Sequence, residues 1–446
     1  MKIALPKQVE TLIERLQQSG FEAYAVGGCV RDSLLGKTPK DWDVTTSATP
    51  EQVSGLFAAE RVVETGMKHG TVTVLIDSLP IEVTTFRVES SYGDHRHPDS
   101  VRFTLDLKED LARRDFTVNA MAYNPNRGLI DFFDGQLDLA RRRLRCVGDP
   151  NKRFAEDALR IIRALRFSSV LEFPIEDKTA QAIRRHREDL LYVAHERISS
   201  ELMKLLGGNA VGTVLRQYAD VLFTVLPELK PMYGFEQHSR YHAYDVYEHT
   251  VRSVEAITPC PLLRFTMLFH DSGKPNTFTQ DADGTGHFYG HDTESVALVK
   301  KAMERLRVSR AFFDRVVLLI THHDLRFEQT DAMLKRWLGR LGEEAMRQLL
   351  AVQAADCAAQ APSLIYRLEN LVELEKRLNR LVEQEACFTL KQLNVNGNDL
   401  IELGIPEGSA VGECLQFLLD AVIEGSCGNE KTALLKQAAS FKEKRF

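Results

Sequence analysis

Short apolar runs with alternating polar positions fill the first third of the chain, and helical spacing replaces them afterwards. Phe21, Ala23, Tyr24, Ala25 and Val26 form a strand-like run that ends at Gly27-Gly28. Asp41-Trp42-Asp43-Val44 reads as the next strand, and alternation places Asp41 and Asp43 on one face. A further strand-like run over 79–87 carries Glu82, and a turn with Asp and Gly over 131–135 closes this section. Between them the polar, glycine-bearing stretch 87–101 reads as a mobile loop. Over 156–167 the apolar residues recur at helical spacing, so one helix is expected there, with Asp157 and Arg160 at i and i+3 on one face. The fold class is therefore α+β: a mixed α/β head over 1–140, a helical neck over 141–205, a helical body over 206–370 and a helical tail over 371–446.

Composition adjusts this picture in three places. A chain of 446 residues, 44% hydrophobic, can bury several cores. It has no apolar run long enough for a bilayer and no signal peptide at its start, so a cytoplasmic protein without a membrane partner is expected. Its seven cysteines form no Cys-x-x-Cys pair and are odd in number, which argues against a disulfide framework or a zinc ribbon and for reduced, buried thiols. The net charge of −6 does not favour nucleic acid, yet charge is local. Arg141, Arg142, Arg143, Arg145, Lys152 and Arg153 precede the 156–167 segment, and Arg184, Arg185 and Arg187 follow it. Both clusters can meet phosphate.

The candidate chemistry sits in the same segments. Paired glycines let a triphosphate approach the backbone, whose amides can cradle it. Two carboxylates one residue apart suit Mg²⁺, which can activate a hydroxyl and neutralise leaving pyrophosphate, and Glu82 is a possible third. In Arg113-Arg114-Asp115-Phe116-Thr117-Val118-Asn119-Ala120 the arginines can grip phosphate oxygens in bidentate fashion and Asn119 can hold a ribose hydroxyl. Asp157 only accepts and Arg160 only donates, matching an amino group beside a bare ring nitrogen. Cytosine and adenine have that edge; uracil and guanine would leave buried groups unpaired, at a cost of several kcal/mol. Further on, His249, His270-Asp271, His291, His322 and Asp356 offer imidazole and carboxylate ligands for Mn²⁺, Ni²⁺, Fe²⁺ or Mg²⁺, with Lys274 in reach of phosphate.

Gly27-Gly28-x-Val30-Arg31-Asp32, Asp41-x-Asp43, Arg113-Arg114-Asp115-Phe116-Thr117-x-Asn119-Ala120 and Glu156-Asp157-x-x-Arg160 together resemble motifs of the class II tRNA nucleotidyltransferases, the bacterial CCA-adding enzymes, and of the related poly(A) polymerases. The resemblance implies a polymerase-beta-like head in which Asp41 and Asp43 bind catalytic Mg²⁺. It implies that Asp157 and Arg160 act as a protein template for CTP and ATP, oriented by Glu156. Arg113, Asp115 and Asn119 would contact sugar and phosphates, and Gly27, Gly28, Arg31 and Arg163 complete the nucleotide-binding set. Implied partners are ATP, CTP and the acceptor stem and elbow of tRNA, with no obligate protein partner. The 87–101 stretch resembles the loop that helps such a pocket switch from cytidine to adenosine, 194–202 the family's last helical motif, and 393–408 its C-terminal module near the tRNA elbow.

The histidine constellation resembles the HD superfamily of metal-dependent phosphohydrolases. That pattern assigns His249, His270, Asp271 and Asp356 to one metal, leaves His291 and His322 for a second ion or substrate phosphate, and implies phosphatase, 2′-nucleotidase or 2′,3′-cyclic phosphodiesterase activity. An A-adding enzyme or poly(A) polymerase, an HD hydrolase with a degenerate head, and a non-catalytic RNA-binding scaffold stand as alternatives.

Overall fold

The computed structural model describes residues 2–89, 101–239, 243–360, 365–384 and 386–445; most of the loop expected over 87–101 lies outside them. The chain divides into two compact units, Met1–Pro227 with Arg305–Arg307, and Glu228–Glu304 with Val308–Phe446.

The first unit is built on a seven-stranded sheet. Its strands are β1 (Ala23–Val26), β2 (Trp42–Thr46), β3 (Arg61–Val63), β4 (Thr71–Ile76), β5 (Leu79–Thr85), β8 (Met121–Asn124) and β9 (Gly128–Asp131), while β6 (Arg87–Glu89) and β7 (Val101–Phe103) pair separately. The order is β3-β4-β5-β2-β1-β8-β9. Every neighbouring pair is antiparallel except β2 with β5, whose parallel register sets Asp43 opposite Glu82. Trp42 and Val44 are buried on either side of the half-buried Asp43, and Ile81 and Val83 on either side of the exposed Glu82, so the alternation read from sequence there corresponds to a real inner face, whereas β1 is buried throughout.

Helices follow the sheet, as the change in periodicity requires. Those that carry the first site are α1 (Gly28–Leu34), α2 (Leu107–Ala112), α3 (Pro150–Glu156), α4 (Leu159–Leu171) and α5 (His195–Leu206). The single helix expected over 156–167 is in fact two. Asp157 has extended dihedrals, φ −145° and ψ 103°, and its Oδ1 accepts the Leu159 N–H at 3.1 Å. An Asp side chain that satisfies a nearby amide competes with the helical ladder, and here it ends one helix and starts the next.

In the second unit α6 (Val246–Ala256), α7 (Pro261–Phe269), α8 (His291–Leu306), α9 (Arg310–His322) and α10 (Glu343–Ala359) carry the histidine constellation. The body was expected to be all helix; a two-residue hairpin, Thr279–Gln280 with Gly286–His287, departs from that. Its turn is closed by the Asp281 N–H to the Thr285 carbonyl and relies on Gly284 at φ +88°. In the tail, Gly397–Glu402, Ser409–Glu424 and Lys431–Arg445 pack around Leu400, Cys414, Leu418 and Leu434. All the cysteines are free; Cys29, Cys146, Cys387 and Cys414 are buried, and Cys260, Cys357 and Cys427 only half-buried. Among the described residues no helix is long and apolar enough to cross a membrane.

Candidate functional site

The first unit contains a cavity of about 840 Å³ whose walls come from β1, β2, β5, α1, α4 and α5. Gly27, Gly28, Arg31, Asp43, Arg113, Asp115, Asn119, Asp157, Arg160 and Arg163 all line it, as does Glu82. Gly27 ends β1 at φ +81°, and a Cβ there would meet Arg114 Nη1 at 3.1 Å and Asp43 Oδ2 at 3.9 Å. Both the dihedral and the approach call for glycine. At Gly28 an added Cβ meets only Arg31 Nη2 at 3.7 Å, an ordinary contact.

Asp41 is exposed and lies one residue before β2, while Asp43 lies within the strand. Burial, reinforced by Glu82 and Asp41 and opposed by Arg114, pushes the Asp43 carboxyl from 3.8 up to about 6. Three neighbouring carboxylates with one guanidinium to offset them form an under-compensated negative site, which a divalent cation relieves. The oxygen donors suit a hard ion.

Arginines face these carboxylates. Arg113 and Arg114 are both anchored by Asp110, which sequence reading missed because nothing local distinguishes it from a solvated helix residue. Asp110 is fully buried, accepts two hydrogen bonds from Arg113 at 3.0 Å, lies 3.6 Å from Arg114 Nη2, and accepts from Thr45 Oγ1 of β2 at 3.1 Å. Burial alone would raise its carboxyl, but the two guanidiniums outweigh that and hold it below the usual range.

Behind the arginines runs a connected polar network. Arg31 donates to Asn119 Oδ1 at 2.7 Å, Asn119 Nδ2 donates to Asp115 Oδ1 at 3.2 Å, and Arg163 Nε donates to Asp115 Oδ2 at 2.8 Å. The Phe116 N–H also donates to Asp115 Oδ1 at 2.8 Å. Burial opposes ionisation of Asp115, yet Arg163, with help from Asn119 and Arg160, carries its carboxyl down to about 2. Both oxygens of Asp115 thus serve protein donors, Asn119 and Arg163 among them.

The base-reading candidates sit at the α3–α4 break. Arg160, 7% exposed, donates to Glu156 Oε2 at 2.7 Å, to the Arg153 carbonyl and to the Arg113 carbonyl, both at 2.9 Å. Glu156 also accepts from Arg153 at 2.6 Å. Asp157 is gripped by Arg197 of α5, with Nη2 to Oδ2 at 2.9 Å and Nη1 to Oδ1 at 3.4 Å. Side by side in one cavity, an acceptor and a donor can read a base edge while the carboxylates and arginines hold its triphosphate.

The second unit brings the other constellation together. His249, His270, Asp271 and Asp356 form one group and Asp271, His291 and His323 a second, each with its ligand atoms within 4.8 Å of one another. His323 takes the place expected of His322, whose ring instead packs edge-on against Trp337. Adjacent residues on a helix point about 100° apart, and at the end of α9 it is the residue after the helix that faces the cluster. His270 Nδ1 donates to the Met267 carbonyl at 2.7 Å, His291 Nδ1 to that of Phe288 at 2.9 Å, and His323 Nδ1 to that of Ile320 at 2.7 Å. Each ring therefore turns Nε2 inward, the arrangement that a backbone carbonyl on Nδ1 gives metal-binding histidines. His249 and His270 approach Nε2 to Nε2 at 3.4 Å, and His291 and His323 at 3.2 Å. Asp271 Oδ2 is buried without a well-aligned hydrogen bond, 2.6 Å from Lys274 Nζ and 3.3 Å from His249 Nε2. Burial opposes a charge on His249, but the hydrogen bonds and charges of Asp271 and Asp356 outweigh it and push the ring up to about 9.

Residues 23–145 match the family described as Poly A polymerase head domain, 172–232 that described as Probable RNA and SrmB- binding site of polymerase A, and 293–438 that described as tRNA nucleotidyltransferase domain 2 putative. The chain is similar to the CCA-adding enzyme of Enterococcus faecalis, 34% identical over 98% of this chain and 97% of that one. The crystal structure of the Bacillus stearothermophilus CCA-adding enzyme in complex with CTP is 31% identical, with a TM-score of 0.71 and 98% of each chain covered. The Thermotoga maritima CCA-adding enzyme complexed with tRNA_CCA shares the fold at 21% identity and a TM-score of 0.58, over 99% of this chain and 97% of that one. The CCA-adding enzyme of Levilactobacillus brevis is 35% identical over 97% of this chain and 98% of its own. On that likeness, which runs the length of both chains, the protein belongs to the CCA-adding enzymes, a family of nucleotidyltransferases.

Proposed function

We propose that the protein adds C, C and A in turn to the 3′ end of tRNA, with CTP and ATP as substrates and no nucleic-acid template. The observation that carries this reading is the meeting of a carboxylate cluster, a pair of phosphate-gripping arginines and a base-reading Asp–Arg pair in one cavity. Nucleotidyl transfer in this family depends on divalent metal, and Asp41 and Asp43, with Glu82 beside them, would hold Mg²⁺. When bound, Mg²⁺ supplies Lewis acidity and charge neutralisation at the reacting phosphate. Arg113 and Arg114, fixed by Asp110, bind the triphosphate. Asn119 and Arg163, fixed by Asp115, position the sugar. Asp157 accepts the exocyclic amino group and Arg160 donates to the bare ring nitrogen. Gly27 keeps the wall between phosphate and carboxylates free of a side chain.

On this proposal the head 1–140 and neck 141–205 serve nucleotide addition, the body 206–370 carries the histidine cluster and the tail 371–446 meets the tRNA elbow, in a cytoplasmic protein. The test is incorporation on three tRNA transcripts, ending at the discriminator base, at C and at CC, with each nucleoside triphosphate. Extension by CCA, CA and A respectively is expected. A single A added only to the CC-ending transcript makes the protein an A-adding enzyme; no extension refutes nucleotide addition.

The inward Nε2 atoms and the buried Asp271 Oδ2 favour a second, accessory reading, a metal-dependent phosphohydrolase of the HD type. His249, His270, Asp271 and Asp356 would hold one divalent ion, with His291 and His323 available for another. Hydrolysis of a 2′,3′-cyclic nucleotide after loading with Mn²⁺, Ni²⁺ or Mg²⁺ tests it, and absence of both hydrolysis and metal uptake refutes it.

A further inference from the structure

Arg197, from the 194–202 motif, makes the one side-chain grip on the base-reading carboxylate among the described residues. An ionised carboxylate offers about four acceptor positions. On Asp157, Oδ1 receives the Leu159 N–H at 3.1 Å and Arg197 Nη1 at 3.4 Å, while Oδ2 receives Arg197 Nη2 at 2.9 Å. A single position remains, on Oδ2. Arg197 and Asp157 both line the nucleotide cavity, and Arg197 comes from a helix that begins well beyond the α3–α4 break.

From this geometry we infer that Arg197 is a positioning residue for base selection. It fixes the Asp157 carboxylate so that its remaining acceptor serves an exocyclic amino group and cannot swing to a ring N–H. The distinction decides which bases are read. Cytosine and adenine place an amino group beside an unprotonated ring nitrogen; uracil and guanine place a carbonyl beside a ring N–H. A carboxylate free to rotate can leave the carbonyl and accept from the adjacent N–H of uracil, and selectivity is lost without any change in Asp157 itself. Fixing it needs a planar fork bound through two nitrogens; a single ammonium charge does not set the plane of a carboxylate. Arg160 is immobilised in the same manner, by Glu156 and two backbone carbonyls.

This inference rests on Asp157 as the acceptor of the base, so the test carries both residues. Arg197→Ala, Arg197→Lys, Asp157→Ala and the unaltered chain are compared for kcat and KM with CTP, ATP, UTP and GTP on transcripts ending at the discriminator base and at CC, with thermal unfolding as a check on folding. Arg197→Ala should shrink the preference for CTP over UTP by about 10- to 100-fold, chiefly through better use of UTP. Arg197→Lys should recover overall activity more than it recovers selectivity. An equal loss of kcat/KM with all four nucleotides, or full recovery of selectivity by lysine, overturns the inference and leaves Arg197 with a charge-balancing role. If Arg197→Ala does not fold, the lysine variant alone decides by the same criterion. Relaxed selectivity in Asp157→Ala without any change in Arg197→Ala refutes the role of Arg197 only; unchanged selectivity in Asp157→Ala removes the base-reading proposal, and this inference with it.

Discussion

Replacing Asp43 by asparagine separates what this carboxylate does for catalysis from what it does to the fold. In the folded chain its carboxyl is pushed, first by burial and then by Glu82, from 3.8 up to about 6. Since each tenfold in acidity is worth about 1.4 kcal/mol, the ionised group opposes folding at neutral pH by something on the order of 2–3 kcal/mol. The sign follows from linkage. A carboxyl whose folded value is raised destabilises fully above that value, and the effect disappears as pH falls from about 6 toward 4. Asp43→Asn should therefore melt several degrees higher than the unaltered chain at pH 7.5 in EDTA, at roughly 2–4 °C per kcal/mol for a unit of this size. The difference should close near pH 4. Mg²⁺ should raise the melting temperature of the unaltered chain more than that of the variant, while incorporation is abolished in the variant. The assay is thermal unfolding followed by circular dichroism across pH 4–8, with and without Mg²⁺, beside nucleotide incorporation. A variant less stable than the unaltered chain in EDTA at pH 7.5, or one that retains incorporation, would refute the reasoning.

Other perturbations probe the surrounding parts. Gly27→Ala places a Cβ in the left-handed region and 3.1 Å from Arg114 Nη1. It should cost about 1–2 kcal/mol in stability and lower kcat by up to about 100-fold through displacement of that arginine, as read by denaturant unfolding and single-turnover incorporation. Asp110→Asn leaves two guanidiniums without their buried counter-charge. A loss on the order of 3 kcal/mol and a raised KM for CTP and ATP alike are expected, and a change in base preference would contradict its place beneath the phosphate arginines. The stabilisation from Asp110 is present above the usual carboxylate range and lost as pH falls through its lowered folded value. His270→Ala combined with Asp271→Ala should abolish divalent-metal uptake by the second unit, measured by equilibrium dialysis and elemental analysis, and leave nucleotide addition intact.

The sequence by itself determined the elements and the cast of residues. Period-two alternation around Asp43 and Val83, a turn at Gly27-Gly28 and helical spacing from about residue 140 onward are local properties, and the structure keeps them. It also named most of the charged side chains that line the cavity of the first unit, because chemistry that needs carboxylate, guanidinium and glycine at fixed spacings leaves a mark on the linear chain. Tertiary structure decided the partners. Asp110 becomes the anchor of two arginines only when α2 packs under β2 and Thr45. The break at Asp157 and its grip by Arg197 depend on a helix that begins at His195. His323, and not His322, joins the histidine–carboxylate cluster because helix phase at a terminus is set by what packs around it. Periodicity reports which face of an element is buried, but it carries no information about which distant side chain meets that face. A carboxylate's role, as ligand, anchor or reader of a base, is fixed by the donors that reach it, and those donors come from segments far away in the chain.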